Sequence, residues 1–274
     1  MSRKNWTSDK LFQRLLENKT QRTYWENISE LRKRVSQDVY DRSTLLARSN
    51  NDNEKIIGID VLAQLGFDPR LNKSQTVQLY FELLENHQSP KVLYSILHAI
   101  GHNNENLKGT QISKLVEFKN HRYSNVRYSL VHALSGVESE LAIETLIELS
   151  RDKNTEIRDW ATFAIGSQIE TNNSDIIDAL WERIHDEDEK TRHEAIAGLS
   201  KRKDTRVKEI LKKELKEIND HGSLILESIE DYGDTDFIPL LELQIETNKK
   251  TKQVNVEWLL DSLETLKTNS QQTI

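Results

Sequence analysis

The sequence contains no cysteine, only three prolines and only nine glycines among its 274 residues. The absence of cysteine excludes disulfides, thiolate nucleophiles and cysteine-ligated zinc or iron–sulfur sites. The shortage of proline and glycine leaves long helical runs unbroken, which favours an all-helical chain over a strand architecture. A cysteine-free chain fits a reducing compartment, so we expect a cytoplasmic protein.

Long apolar runs are also missing. The first residues are basic but lack the apolar core of a signal peptide, and nowhere is there an uncharged apolar run of membrane-spanning length. We therefore expect a protein that is neither exported nor embedded in a membrane. Hydrophobic residues make up 36% of the chain and charged residues 30%, which is enough apolar material to bury a core.

The formal net charge of −7 is unevenly distributed along the chain. Residues 1–34 carry nine Lys or Arg against four Asp or Glu, and residues 201–217 carry eight against four. The remainder is therefore distinctly acidic. An acidic balance repels a phosphate backbone at long range, which disfavours general nucleic-acid binding.

What the sequence does contain is an internal repeat. Its clearest copy is DKNTEIRDWATFAIG, residues 152–166, which ends on a small residue. Small residues recur at spacings of 35, 34, 31, 34 and 33, at Gly66, Gly101, Ser135, Gly166, Ser200 and Gly233. This period lies in the range of helical-repeat proteins. A seventh, atypical unit is expected in residues 254–266.

Each repeat contains two amphipathic segments. The second shows apolar or small residues at positions i, i+4, i+7 and i+8, as at Ile157, Ala161, Ala164 and Ile165, which indicates one buried helix face. The first segments precede these stripes, at residues 74–87, 109–121, 138–152, 174–186 and 204–220. A helix pair of about 34 residues cannot bury its own apolar faces, so neighbouring pairs must stack.

These residues resemble HEAT repeats, particularly the bacterial subgroup described as phycobilisome-lyase-like. The shared signature is an Asp in the turn and an Arg six positions later. Asp152 pairs in this spacing with Arg158, and Asp186 pairs with Arg192. Arg127 lacks its Asp, because position 121 is His. The resemblance implies that these side chains form a structural ladder between stacked units. It also implies the fold: all-α, a right-handed α-solenoid (α/α superhelix) of about six to seven HEAT-like helical hairpins.

The two ends depart from the repeat. We expect capping helices in residues 1–35, a repeat array continuous with them in residues 36–267, and a flexible tail in residues 268–274. In the outer repeats Gly58, Leu93 and Ile225 stand where the ladder Arg would be. Ladder bonding should therefore be confined to the central units.

Polar and aromatic residues recur opposite the buried stripe. A step of about 100° per residue places positions 159 and 163 on the free side of the second helix, which lines the concave surface of such solenoids. Tyr-x-x-x-His occurs there twice, 34 residues apart. Exposed aromatic residues are typical of interfaces. The candidate partner-binding residues are Tyr94, His98, His102, Tyr128, His132, Asp159, Phe163 and His193.

Other interpretations of these residues stay open. The rings could simply cover the groove between adjacent second helices. His98 and His102 have an i, i+4 spacing that can hold a metal with His132, but no carboxylate stands in the same columns of these two units, so we predict no metal and no cofactor. Trp160 and Trp181 are interpreted as packing residues.

The sequence contains no phosphate-cradling glycine loop, serine-nucleophile elbow or zinc-protease motif, which favours a non-catalytic role. We predict a scaffold that binds a protein or peptide through the concave face. Some alkylpurine DNA glycosylases are HEAT-like solenoids with aromatic and acidic groove residues, so a DNA-binding or glycosylase-like enzyme is one alternative, with Asp159 beside Phe163 as the nearest match. A lyase-like chaperone that attaches chromophores is another. The sequence indicates neither the partner nor the oligomeric state.

Overall fold

Helices account for all regular secondary structure in residues 2–272, the part of the chain that the computed structural model describes, with side chains described for residues 2–269. This confirms the predicted all-α class. The chain divides into two compact units, Met1–Val137 and Glu138–Ile274.

The first unit, unit 1, contains eight helices in its described residues. They are α1 (Ser8–Leu16), α2 (Gln21–Arg32), α3 (Gln37–Ala47), α4 (Asp52–Leu62), α5 (Lys73–Leu84), α6 (Pro90–Gly101), α7 (Gly109–Val116) and α8 (Ser124–Leu134). A short 3₁₀ turn, Arg3–Asn5, precedes them. Each odd-numbered helix packs against the helix that follows it, and α2, α4, α6 and α8 pack successively on one another. We call these four helices the second-helix row of unit 1.

The second unit, unit 2, repeats this arrangement. Its described helices are α9 (Glu140–Leu149), α10 (Thr155–Phe163), α11 (Ser174–Arg183), α12 (Glu189–Lys201), α13 (Val207–Lys216), α14 (Ser223–Tyr232), α15 (Ile238–Thr251) and α16 (Val256–Gln272). Helix α10 continues as one π-helical segment, Ala164–Gln168, and a 3₁₀ turn, Thr235–Phe237, precedes α15. Here α10, α12, α14 and α16 form the second-helix row.

The predicted apolar stripe forms the core of the hairpins. Ile157, Ala161, Ala164 and Ile165 are fully buried, and the matching positions of α6, α8 and α12 are buried as well. Polar side chains begin several of these helices: Asn154 accepts a hydrogen bond from the Ile157 amide. The N-cap of α11 is Asn173, which accepts a hydrogen bond from the amide of Ile176. Asparagine side chains thus satisfy backbone donors at the starts of α10 and α11.

The ladder arginines all bind the turn that precedes their own helix. In each case Nη1 donates to the backbone carbonyl six residues earlier: Arg127 to His121 at 2.7 Å, Arg158 to Asp152 at 3.1 Å, and Arg192 to Asp186 at 2.9 Å. The signature spacing therefore corresponds to one closed turn at the start of a second helix.

One ladder arginine also reaches the next repeat. Arg158 donates from Nε and Nη2 to the two carboxylate oxygens of Asp186, both at 2.9 Å. The two side chains are only 9% and 4% exposed. Burial alone would raise the pKa of Asp186, but the hydrogen bonds from Arg158 and from the Asp188 amide hold it below its usual value. The pair ties the α10 hairpin to the α11–α12 turn.

A second arginine in unit 2 binds the end of the π-helical segment. Half-buried Arg202, which follows α12, donates to five backbone carbonyls, those of Ile165, Gly166, Ile169, Thr171 and Gly198, at 2.5–3.2 Å. A helix end leaves carbonyls without intrahelical partners, and this guanidinium supplies the missing donors.

Helices lie close to both ends of the described chain. The predicted cap, residues 1–35, holds α1 and α2, which pack as a hairpin like those that follow. The predicted flexible tail is helical over residues 268–272, because α16 continues to Gln272, and residues 273–274 lie outside the described part of the chain.

Candidate functional site

Five of the predicted site residues form one cluster in unit 1. Tyr94 and His98 lie on α6, His102 caps its end, and Tyr128 and His132 lie on α8. All five side chains are half-buried. The ring centroids of His98 and His132 are 4.8 Å apart, those of His98 and His102 5.3 Å, those of Tyr128 and His132 4.9 Å, and those of Tyr94 and His98 5.8 Å. We call this group the Tyr/His cluster.

A glycine brings the two helices of the cluster together. Gly101 ends α6, and a Cβ at this position would lie 2.6 Å from the backbone oxygen of His132. Any other residue would force α8 away from α6. The same close approach sets His98 beside His132, so the small residue that marks the end of the repeat also positions the cluster.

Burial keeps the imidazoles of the cluster neutral. It lowers the pKa of His102 to about 4, with further lowering from His98, Arg32 and Arg70. Burial and the neighbouring His98 likewise lower the pKa of His132 to about 4, and the pKa of His98 is lowered by burial and then by Arg32. At neutral pH the cluster therefore presents uncharged rings with nitrogen donors and acceptors.

A hydrogen-bonded chain extends the cluster along the second-helix row. Gln64 Nε2 lies 3.3 Å from His102 Nδ1, and Arg32 Nη1 donates to Gln64 Oε1 at 2.6 Å. Arg32 also donates to the backbone oxygen of Asp60 from Nε and Nη2. The hydroxyl of Tyr24 donates to the Asp60 carboxylate at 2.7 Å. The chain thus connects α2, the end of α4 and α6.

The carboxyl of Asp60 is buried in this chain. Burial raises its pKa to about 6, although hydrogen bonding from Tyr24 and the charge of Arg32 oppose the rise. None of Tyr24, Arg32, Asp60 and Gln64 was among the predicted site residues. Asp60 carried a usable signal, since it is the one charged residue in the apolar run IIGIDVLAQLG and a buried acid needs partners. Tyr24, Arg32 and Gln64 carried none, because their partners lie 28 to 38 residues away in the sequence.

The remaining predicted site residues, Asp159, Phe163 and His193, lie in unit 2. Asp159 and Phe163, on α10, are half-buried, and the Phe163 ring packs edge-on against Trp160 with centroids 5.7 Å apart. Trp160 is 37% exposed, so it is less enclosed than a packing residue would be. His193 on α12 is only 8% exposed, and its Nε2 lies 3.8 Å from Oε2 of Glu214. The expected exposure of this position is wrong for His193, because α13 packs on α12 beside it.

The unit 2 surface is acidic. Burial and the charges of Asp159 and Glu227 raise the pKa of Glu194, on α12, to about 7. Burial and the nearby Asp188 raise the pKa of Asp159. One buried oxygen in each of these two carboxylates has no hydrogen-bond partner among the described residues. We call Asp159, Glu194 and Glu227, with the adjoining rings of Trp160 and Phe163, the acidic surface.

Among the described residues, no group of three or more His, Asp or Glu side chains is arranged to hold a metal ion. In the same part of the chain, no helix combines the length and the apolar character that crossing a membrane requires.

Comparison with known proteins identifies the repeats. A family model of HEAT repeats matches residues 143–222, within unit 2. Protein YibA of Escherichia coli strain K12 is 38% identical over 109 residues, which are 40% of this chain and 38% of YibA. This aligned stretch therefore spans less than half of that relative.

Solved structures extend the likeness over most of the chain. The X-ray structure of YibA from Escherichia coli superimposes with a TM-score of 0.69 at 28% identity, over 96% of this chain and 93% of that one. A chain from a structure of Kap95p with RanGDP matches in fold alone, with a TM-score of 0.53 at 11% identity, over 96% of this chain and 41% of that one. The chain therefore contains HEAT repeats in residues 143–222 and shares the all-α helical-repeat fold of these proteins.

Proposed function

We propose that the protein is a non-catalytic scaffold that binds a protein or peptide through its second-helix rows. The observation that carries this proposal is the Tyr/His cluster: Tyr94, His98, His102, Tyr128 and His132 form contiguous, half-buried rings on α6 and α8. Aromatic side chains supply large contact areas at low entropic cost, and stacked repeats place such residues on extended binding surfaces. We also propose that the protein is located in the cytoplasm.

Because the imidazoles are neutral, the cluster favours a partner segment that carries little charge. Because the pKa values of His102 and His132 are about 4, both rings are neutral at physiological pH. A partner that buries them displaces water from uncharged rings and meets no buried cation, so the desolvation cost is small. Nitrogen atoms of neutral imidazoles can donate and accept, which suits the backbone amides and carbonyls of a peptide.

In unit 2 the proposal takes a different chemical form. The acidic surface combines Asp159, Glu194 and Glu227 with the rings of Trp160 and Phe163. Lys or Arg side chains of a partner would lower the repulsion among the carboxylates and could stack on the rings. The same charges oppose a phosphate backbone, so this surface favours a protein partner over the DNA-binding and glycosylase-like alternatives.

Site-specific photocrosslinking tests the proposal in the native cell. A photoreactive phenylalanine analogue at position 94 or 128 is expected to crosslink to one defined partner protein. Tyr123 provides a matched control, because it is an exposed tyrosine of unit 1 outside the cluster. No crosslink at either position, or an equal yield at position 123, contradicts the proposal.

Measuring the affinity of variants for the captured partner shows whether the tyrosines contribute binding energy or only lie near the partner. The double variant Tyr94→Ala/Tyr128→Ala is expected to bind the purified partner at least tenfold more weakly, with helicity unchanged by circular dichroism. The variant Tyr123→Ala should bind like the wild type. Unchanged affinity of the double variant would remove the Tyr/His cluster from the binding surface.

A further inference from the structure

A cavity in unit 1 lies where the 3₁₀ turn, the end of α1 and the first turns of α2 meet. Its volume is about 620 Å³, within the range of small-ligand pockets. It is lined by Arg3, Trp6, Arg14, Glu17, Asn18, Lys19, Thr23 and Asn27. None of these residues belongs to the Tyr/His cluster or to the hydrogen-bonded chain beside it.

A buried amide in the cavity wall has unused donors. Asn27 is only 3% exposed, and its Oδ1 accepts a hydrogen bond from Arg3 Nε at 2.9 Å. This contact fixes the orientation of the amide, since Nε can only donate. Asn27 Nδ2 donates no hydrogen bond to another described residue and is not fully enclosed, so it can donate to a ligand in the cavity. The indole N–H of Trp6, buried in the same wall, lacks an acceptor among the described residues, which is costly for a buried donor.

The charges around the cavity are mainly positive. Arg3, Arg14 and Lys19 line it against one carboxylate, that of Glu17. Arg3 already pairs with Glu26 at 2.7 Å outside the lining. In the described part of the chain neither Arg14 nor Lys19 has a carboxylate partner within salt-bridge distance. The charges of Arg14 and Lys19 are therefore not offset by an ion-pair partner.

The cationic wall is held in place by the fold. Two cations lie over the ring of Trp6, with Lys10 Nζ 4.7 Å and Arg3 Cζ 5.7 Å from its centroid. Arg34 donates to the backbone oxygen of Arg3 at 3.3 Å and to Ser8 Oγ at 3.2 Å, which ties the 3₁₀ turn to α1. The positions of Arg3 and Asn27 are thus preorganised, and a ligand need order only Arg14 and Lys19.

We propose that this cavity binds a small anionic ligand through phosphate or clustered carboxylate oxygens. Arg3, Arg14 and Lys19 supply the charge, and Asn27 Nδ2 donates a hydrogen bond from the buried wall. Oxyanions are pure acceptors with several lone pairs, so they match a lining rich in donors. The site shares no lining residue with the Tyr/His cluster, so the scaffold would carry a small-molecule site beside that partner surface.

Nuclear magnetic resonance titration of the full chain tests this site. The two probes are inorganic pyrophosphate and citrate, which separate phosphate from carboxylate recognition at similar charge. We expect one of them to shift the Trp6 indole N–H and the Asn27 side-chain amide signals in a saturable way. The Trp6→Phe variant assigns the indole signal, since the chain has five tryptophans.

Paired variants separate a site from general charge attraction. Arg14→Gln/Lys19→Gln removes two exposed cations of the cavity and is expected to weaken binding at least tenfold. Lys33→Gln/Lys91→Gln makes the same change in net charge elsewhere in unit 1 and should leave affinity within twofold of the wild type. Equal weakening in the two double variants, or the absence of a saturable shift at Trp6 and Asn27 with both probes, overturns the proposal.

Discussion

Units 1 and 2 use the same helical hairpin but differ in charge. Unit 1 carries 20 Lys and Arg against 14 Asp and Glu, whereas unit 2 carries 18 against 31. The net charge of −7 is therefore the sum of a cationic unit and a strongly anionic one. Repeat folds tolerate this because each hairpin contacts mainly its neighbours, so surface charge can change without disturbing the apolar stripe.

The two units also connect their repeats differently. In unit 2 the arginine ladder does so, through the buried contact between Arg158 and Asp186. In unit 1 amide groups do the equivalent work: Asn103 Nδ2 donates to the backbone oxygen of Ala63, and Asn104 Nδ2 to those of Ala133 and Ser135. The family model matches residues 143–222, the part of unit 2 that contains the contact between Arg158 and Asp186. Four changes test this contrast.

The largest effect is expected from breaking the ladder. Arg158→Gln leaves Asp186 buried with fewer donors, so the free energy of unfolding should fall by about 3–4 kcal/mol in urea denaturation. The control is Arg151→Gln, which removes an exposed pair with Glu182 and should cost about 1 kcal/mol or less. A loss no larger than that of the control would mean that Arg158 does not hold the repeats together.

The close contact of α6 with α8 is the corresponding feature of unit 1. Gly101→Ala places a methyl group against the His132 backbone and should lower the free energy of unfolding by about 2 kcal/mol. It should also shift the imidazole signals of His98 and His132 in NMR spectra. Gly109→Ala, where the added group meets nothing within 4 Å, should be neutral. Equal stability of the two variants would show that α8 can move without cost.

Acidification should change the stability of the two units in opposite directions, through His102 in unit 1 and Glu194 in unit 2. His102 has a pKa of about 4 in the folded chain against an ordinary value of 6.5, so its contribution to stability is present above pH 6.5 and is lost as pH falls toward 4. Hydrogen exchange of α6 and α8 amides should show about 1–2 kcal/mol less protection at pH 5 than at pH 7. His102→Gln should show a smaller loss. An identical loss in the variant would assign the acid sensitivity to other groups.

Glu194 tests the opposite response in unit 2. Its pKa of about 7 in the folded chain exceeds the ordinary 4.5, so its ionisation destabilises the fold as pH rises from 4.5 through 7. Glu194→Gln should therefore stabilise α12 by about 1 kcal/mol at pH 8 and change little at pH 4.5. The control is Glu144→Gln, which removes the charge of an exposed acid in the same unit, and its effect on α12 should be smaller than that of Glu194→Gln at pH 8. A gain that is equal at both pH values would contradict the assignment.

The sequence predicted the repeat and the cluster better than it predicted burial around them. The i, i+4, i+7, i+8 stripe located the second helices, and the Tyr-x-x-x-His spacing located neighbours on α6 and α8, because both depend on helix geometry alone. His193 was predicted to be exposed and is buried, since the packing of α13 has no signal in the α12 sequence. Arg32 and Gln64 were missed because their contacts depend on which helices stack, a property of the assembled unit.

The π-helical segment of unit 2 makes chain length and side-chain identity depend on each other. The amide of Ile169 donates to the oxygen of Ala164, five residues earlier, so the segment holds one residue beyond an α-helical path. The turned carbonyls meet the guanidinium of Arg202. Shortening the segment by one residue would leave that guanidinium without its acceptors. Replacing Arg202 would leave the carbonyls without their donor. Insertions and deletions at this junction should therefore survive only together with a change at position 202.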